Sequence, residues 1–424
     1  MTTFHVKFLG CKVSQADAML ARAKLLEAGH AEASEDDADL HVINTCCITR
    51  EAEAKSRQSV RRSTRGGRRV VVTGCAANLD SAQFDAIAPE VTALVGTADD
   101  VAAEVAGAAG PGCIDTDTDV AARRPISATR TRGFVKVQDG CDCHCSYCII
   151  PTVRGAARSR PASAVLEEVR RRVAQGQPEM VMTGISVGGY RDPEHDLELG
   201  DLMRAVAQVP GVERVRLSSV EVIHVRDSLV DALAHEPRIC PHLHVPLQSG
   251  DDRVLESMGR SYDAAGYLEA IERLRERVPH VNVTTDVIVG YPTEDESAFG
   301  RTLVVVRAAG ITKVHTFSFS ARPGTEADRF GDPVPPAEKK RRSRELRGRS
   351  EALGRRHRAT KLDRVEEVLV DKVAEEQVSG YSRDYTRYYL PGDAARAGQT
   401  VGARAVELYS DGLAAAPAPL TLTR

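Results

Sequence analysis

The stretch GFVKVQDGCDCHCSYCII, residues 133–150, sets four cysteines within eight residues behind an alternating apolar run. GFVKVQDG has the period of a strand, and Cys141, Cys145 and Cys148 follow it with the spacing C-x3-C-x2-C. Three thiolates on one short loop can each take one iron of a cubane cluster and leave the fourth iron open to a small ligand. Cys143 breaks that spacing. A zinc site would use it as the fourth thiolate, although structural zinc usually takes two separated knuckles and four thiols on one loop are hard to set tetrahedrally. On this reading Cys143 is an extra thiol.

Outward from the loop, the alternation continues. Strand candidates recur at 180–185, 214–219, 242–247, 281–292 and 313–320, with amphipathic stretches such as ASAVLEEVRRRVAQG between them. About six βα units of this kind predict a full or partial barrel with its chemistry at the C-terminal ends of the strands. Upstream, FHVKFL (4–9), LHVINT (40–45) and RVVVTG (69–74) read as strands, with helices over 14–29 and 50–62. That alternation predicts an open parallel sheet covered by helices.

Each early strand runs into a cysteine: VKFLG into Cys11, VINT into Cys46, VVVTG into Cys75. In an open α/β sheet such ends share one edge, where ligands bind. Three thiolates there suit an iron–sulfur cluster; three inert buried cysteines would look the same in sequence. Cys47 points elsewhere on an extended backbone and is read as structural, as are the isolated Cys113 and Cys240. A weak stretch at 106–125 reads as a linker. PVPPAEKKRRSRELRGRSEALGRRHRATK (333–361) reads as a Pro-led basic helix, and short Val-rich runs from about 362 predict a small β domain.

The chain has 424 residues, 42% of them hydrophobic, with 57 basic against 60 acidic side chains and a net charge of −3. The length predicts two or three domains. Aromatics at 4% and the absence of Trp make the cores aliphatic. The balanced charge does not advertise nucleic-acid binding, so any basic patch must be local. No signal-peptide pattern opens the chain and no long apolar run crosses it, which predicts a cytosolic, cytoplasmic protein with no membrane contact. Ten cysteines in that compartment suit metal or redox chemistry better than disulfides.

The C-x3-C-x2-C motif with Tyr147 before its last cysteine resembles radical S-adenosylmethionine enzymes. FLGCKVSQAD, VINTCCITREAEAKSRQ, VVVTGC, FVKVQDGCDCHCSYCIIPTVRGAARSRP, TGISVGGY, RLSSVE, LHVPLQSGDDRVLESMGRSY, DVIVGYPTEDE and FSFSARPGTEA each resemble segments of the methylthiotransferases, nearly end to end. The resemblance implies an N-terminal α/β domain with an auxiliary cluster (1–110), a radical SAM partial barrel (127–335), a basic helical connector (336–361) and a TRAM-like RNA-binding β domain (362–424). Residue by residue it implies Cys11, Cys46 and Cys75 as ligands of one [4Fe–4S] cluster and Cys141, Cys145 and Cys148 as ligands of a second. Cys143 matches no ligand. GCKVSQ and RPGTEA look most like the branch that modifies N6-threonylcarbamoyladenosine beside the tRNA anticodon, at position 37. Ser14 stands where that branch commonly has Asn, and GCAAN replaces an aromatic-containing run.

The implied chemistry is reductive cleavage of S-adenosylmethionine, hydrogen abstraction from C2 of the adenine, and delivery of a methylthio group, with a second S-adenosylmethionine as methyl donor. No side chain beyond the cluster ligands is assigned a catalytic role. Expected cofactor contacts are Tyr147 near the adenine, Thr183 and Gly184 after the second barrel strand, Glu221 after the third, Gln248 and Ser249 after the fourth, Arg260 on the carboxylate, and Ile288 and Gly290 against the adenine. Arg57, Arg61, Arg62 and Arg65 are expected to meet RNA phosphates. Arg383, Tyr385 and Arg387 are expected to stack on and pair with RNA on a β surface. Expected partners are tRNA and a low-potential electron donor such as flavodoxin or ferredoxin, not DNA. Three other readings exist: an isopentenyladenosine substrate, an aspartate of a ribosomal protein, or an RNA-binding module whose clusters are structural.

Overall fold

The structure, a computed structural model, describes residues 2–96, 98–108 and 131–420. Most of the linker at 106–125, and Cys113 within it, lie outside the described residues. The chain forms two compact units. The first takes the described residues up to 108 together with Asp139–His144 and Cys148–Arg158; the second takes the described residues to Gln138, then Cys145–Tyr147 and Ser159 onward.

The first unit is a five-stranded parallel sheet in the order β2-β1-β3-β4-β5: β1 Thr3–Phe8, β2 Ala31–Glu32, β3 Leu40–Thr45, β4 Arg69–Gly74 and β5 Val91–Ala93. Both faces are covered, which is why its central strands read as apolar runs. Val70 and Val72 pack with Val60, Phe84 and Ile149 on one face. Phe4, Val42 and Val71 pack with Ala21, Leu25 and Val101 on the other. Helix α1, Lys12–Glu27, starts two residues before the expected Ser14, with Cys11 as its N-cap. Helix α2, Arg50–Ser63, is capped by the Thr49 side chain accepting from Ala52 N–H at 3.1 Å.

The second unit holds six parallel strands: β6 Arg132–Lys136, β7 Glu179–Thr183, β8 Arg214–Leu217, β9 His242–His244, β10 Asn282–Val289 and β11 Lys313–Ser318. They pair as β6-β7-β8 and β9-β10-β11, and a parallel bridge between Ser219 and His244 joins the two sets. The result is a partial barrel whose outer face packs on helices such as Ala162–Ala174 and Ala264–Arg277. β10 stops at Val289, short of the expected 292, because Gly290 turns the backbone at φ +72°. The basic segment forms a helix, Pro336–Ala359, with Leu346 in the barrel core and Lys340, Arg344, Arg347, Arg355 and Arg356 exposed. The last strands, Val365–Val373, Gln377–Ser382, Arg387–Pro391, Thr400–Tyr409 and Gly412–Pro417, close into a small barrel. The fold class expected from the sequence is the one observed. Among the described residues no helix is long and apolar enough to cross a membrane.

Candidate functional site

In the first unit, neighbouring strands β1, β3 and β4 bring Cys11, Cys46 and Cys75 to one edge of the sheet. Two glycines make the convergence possible. Gly10 takes φ +115°, and a Cβ there would come within 2.8 Å of Cys46 Cβ. Gly74 takes φ +92°, and a Cβ there would stand 2.6 Å from the Thr45 carbonyl oxygen. A side chain at either position would force the strand ends apart. Cys11 is exposed, whereas Cys46 and Cys75 are buried. Burial pushes the Cys75 thiol up to about 11; Arg154 works against that rise, and negative charge on Cys11 and Cys46 adds to it. A metal centre would offset that penalty at Cys75 by supplying positive charge. The donor set fits an iron–sulfur cluster.

Arg154, missed in the sequence, closes this site. It ends a short helix, Ile150–Arg154, and its side chain is only 6% exposed. Nε donates to Cys75 Sγ at 3.1 Å, Nη1 to both Asp139 carboxylate oxygens at 3.0 and 3.2 Å, and Nη2 to Asp17 at 2.9 Å. Burial disfavours the guanidinium charge, but Cys75, Asp17 and Asp139 outweigh it and hold its pKa above the ordinary value. Cys47 is buried, its Sγ 3.3 Å from the Cys75 carbonyl oxygen. Within the same unit, Gly140 opens the Cys141 loop at φ +69°, and a Cβ there would collide with the Ala156 carbonyl oxygen at 1.9 Å. Cys141 N–H donates to Gly155 O at 3.1 Å, and Cys143 N–H lies 3.4 Å from Cys141 Sγ as donor. Cys143 and Cys148 are partly exposed.

In the second unit, Cys145 receives a hydrogen bond from Arg260 Nη1 at 3.0 Å. Arg260 also donates to Tyr262 at 3.1 Å and lies 3.7 Å from Glu221. Its side chain is 4% exposed, so it is not a surface ion pair. Burial opposes its charge, and Tyr147, Tyr262, Cys145 and Glu221 together hold its pKa above the ordinary value. Arg260 Nη2 is buried and finds no hydrogen-bond partner among the described residues; the same holds for Thr183 Oγ1, at the end of β7. Buried orphan groups of this kind cost stability unless a ligand satisfies them. Each is a group that a ligand can satisfy: a buried guanidinium N–H suits a carboxylate, and a buried hydroxyl suits an ammonium.

Tyr147 and Ile288 pack on one apolar cluster with Met258, Tyr291 and Phe319. Gln248 takes φ +65°, donates its N–H to Asp286 O at 2.9 Å and accepts from Ile288 N–H at 3.0 Å. A Cβ at Gly184 would come within 2.9 Å of the Gln138 carbonyl oxygen, so that glycine lets two loops touch. Two further expected contacts are packed inside the unit. Ser249 is fully buried with its Oγ 3.4 Å from Thr302 Oγ1. The space that Gly290 leaves open is filled by the Lys339 side chain, 2.4 Å from where a Cβ would stand.

The expected RNA contacts divide. Arg61, Arg62 and Arg65 are exposed on and after α2, while Arg57 pairs with Glu53 at 2.8 Å. Arg383 and Tyr385 do not form a free stacking surface. Tyr385 stacks between His242 and Tyr381, with ring centroids at 4.9 and 4.8 Å, and the Arg216 guanidinium lies over its ring. Arg383 donates to the Pro237 and Ile239 carbonyl oxygens. Arg387 pairs with Asp411 at 3.3 Å and lies over Tyr389. The Tyr/Arg alternation is therefore largely spent inside the second unit, where the small barrel meets the parallel strands. Buried Glu179, with Arg132, Arg214 and Arg216 within 3.2, 3.9 and 2.9 Å, completes that contact.

The chain is similar to known proteins along most of its length. Residues 135–305 match the Radical SAM superfamily, and residues 3–96 match an uncharacterized protein family, UPF0004. The chain is 32% identical to the threonylcarbamoyladenosine tRNA methylthiotransferase MtaB of Thermotoga maritima, over 97% of this chain and 96% of that one. It is 35% identical to the tRNA-2-methylthio-N(6)-dimethylallyladenosine synthase of Syntrophotalea carbinolica, over 88% and 89%. Among solved structures it resembles the radical S-adenosylmethionine methyltransferase TsrM of Kitasatospora setae, with a TM-score of 0.57 and 13% identity over 77% of each chain; that likeness concerns the fold. Membership of the radical SAM superfamily brings S-adenosylmethionine and a [4Fe–4S] cluster. The chain belongs to the radical SAM methylthiotransferase family and is an enzyme of that kind.

Proposed function

We propose that the protein adds a methylthio group to C2 of N6-threonylcarbamoyladenosine at position 37 of tRNA, using two [4Fe–4S] clusters per chain. The observation that carries the two-cluster reading is the convergence of Cys11, Cys46 and Cys75 at one sheet edge, separate in sequence from the Cys141–Cys148 loop. When bound, the clusters and S-adenosylmethionine supply the radical and the sulfur. The chain's own residues bind and orient. Arg260 Nη2 donates to the S-adenosylmethionine carboxylate, and Thr183 Oγ1 accepts from its ammonium. Tyr147 and Ile288 form an apolar wall for its adenine. Glu221 and Cys145 fix the Arg260 guanidinium so that its free donor stays aimed.

The tRNA contacts are the exposed Arg61, Arg62 and Arg65 and the exposed cations of the Pro336–Ala359 helix, which pair with phosphates. The small barrel at the C-terminus acts as a TRAM-like module. The electron comes from a low-potential donor such as flavodoxin or ferredoxin, and the reaction takes place in the cytoplasm.

GCKVSQ and RPGTEA support the threonylcarbamoyl substrate, as does a match that spans nearly all of the Thermotoga protein. The dimethylallyladenosine relatives, at comparable identity, make that nucleoside the second reading. Nucleoside analysis of total tRNA from a strain lacking this gene decides between them. The methylthiolated threonylcarbamoyl nucleoside should vanish and return on complementation. Loss of the dimethylallyl derivative alone would overturn the substrate assignment.

A further inference from the structure

We infer that Arg154 is a positioning residue for the auxiliary cluster: it grips the Cys75 sulfur through a charged N–H···S hydrogen bond and thereby raises the reduction potential of the cluster held there. The inference rests on the proposal that Cys11, Cys46 and Cys75 hold a cluster.

One buried guanidinium serves three partners with its whole fork. Nε goes to Cys75 Sγ at 3.1 Å, Nη1 to Asp139 and Nη2 to Asp17. A purely structural ion pair needs only the two carboxylates. A neutral thiol is a weak acceptor, and aiming a buried cation's N–H at one gains little. The same donor aimed at a metal-bound thiolate, which carries negative charge, forms a strong charge-assisted bond. Cys75 is also buried, so water does not hydrogen-bond its sulfur in place of Arg154.

A hydrogen bond to a ligand sulfur draws electron density away from the cluster. It stabilises the reduced state, in which the cluster carries one more negative charge, and so moves the potential upward. The two carboxylates set the direction of the fork. Asp17 lies on α1, six residues beyond Cys11, and Asp139 precedes Cys141 by two. One side chain thus ties together the segments behind Cys11, at Cys75 and before Cys141, all within the first unit.

The test isolates the auxiliary cluster in the full-length chain with Cys141, Cys145 and Cys148 all changed to Ala. Onto it go Arg154→Gln paired with Asp17→Asn, which removes one charge of each sign, and separately Arg154→Lys. Iron per chain and a redox titration followed by electron paramagnetic resonance are read for each. The expected result is unchanged iron, a lower midpoint potential and an altered spectrum in the paired variant, with part of the potential restored by Lys. Equal potentials and spectra at full iron would overturn the inference, as would loss of iron in both variants, which would make Arg154 a structural residue only. If the background with Arg154 intact binds no iron, the auxiliary site itself is wrong, and the inference falls with it.

Discussion

Arg260 Nη1 donates to Cys145 Sγ at 3.0 Å while Nη2 of the same guanidinium is buried without a partner. One edge of the side chain is anchored and the other is on offer. Arg260→Gln should therefore keep the cluster iron but weaken S-adenosylmethionine binding. Loss of one charge-assisted hydrogen bond, about 1.5–3 kcal/mol, corresponds to roughly 10- to 100-fold in Kd. Equilibrium binding of S-adenosylmethionine to the reconstituted protein measures it. An unchanged Kd would remove Arg260 from the cofactor site.

Two sets of three cysteines predict about eight irons per chain after anaerobic reconstitution. Changing Cys141, Cys145 and Cys148 to Ala should leave about half of that iron and abolish S-adenosylmethionine cleavage. Cys143→Ala should retain all of the iron and full turnover, because that thiol breaks the ligand spacing. Metal analysis finding zinc in place of iron would sink the cluster reading, and loss of half the iron from the Cys143 variant would show that the triad is wrongly chosen.

The strand ends at Cys11, Cys46 and Cys75 were legible because short apolar runs, each ending next to a cysteine, place residues along a parallel sheet edge without any knowledge of long-range contacts. Arg154 was not. Its role depends on meeting Cys75, Asp17 and Asp139, and that meeting is tertiary. The arginines of RVRLSS are illegible in a related way. Arg214 and Arg216 are charged residues on a strand, and nothing local in the sequence shows that they are 0% and 3% exposed because the small C-terminal barrel covers them. Tyr385 fails for the same reason, since an alternation of Tyr and Arg looks identical whether it faces RNA or a neighbouring sheet.

Gly74→Ala tests the backbone that brings the auxiliary ligands together. The residue takes φ +92° and a Cβ would stand 2.6 Å from the Thr45 carbonyl oxygen. Strain at such a position costs about 1–3 kcal/mol, and relief requires the chain before Cys75 to move. The variant should lose the auxiliary iron while keeping the cluster on the Cys141 loop active in cleaving S-adenosylmethionine. Full iron at unchanged thermal stability would contradict the argument.

The two groups of expected RNA contacts should separate in experiment. Changing the exposed Arg61, Arg62 and Arg65 to Gln should weaken tRNA binding and flatten its salt dependence, by about 0.9 in the log–log slope for each phosphate contact removed. Tyr385→Ala should instead lower thermal stability, because the ring is packed between His242 and Tyr381; loss of such a contact costs about 2–3 kcal/mol. Filter binding across a salt series and calorimetry report the two effects. A salt slope that the three arginine changes leave untouched would place the tRNA on another face.

Separation of chemical roles is the strictest test. Cys11, Cys46 and Cys75 belong to strand ends of the parallel sheet, and the donor that Arg260 leaves free belongs to the barrel unit. Changing the three early cysteines to Ala should therefore leave reductive cleavage of S-adenosylmethionine intact, since that step needs only the Cys141 loop and an electron. No methylthiolated nucleoside should form, because the sulfur has lost the site from which it is delivered. Both products, 5′-deoxyadenosine and the modified nucleoside, are quantified from one reaction on unmethylthiolated tRNA. Deoxyadenosine at near wild-type yield with no modified base is the expected outcome. Modified base at wild-type yield would leave Cys11, Cys46 and Cys75 with no part in the reaction, and the glycines at positions 10 and 74 as ordinary turns.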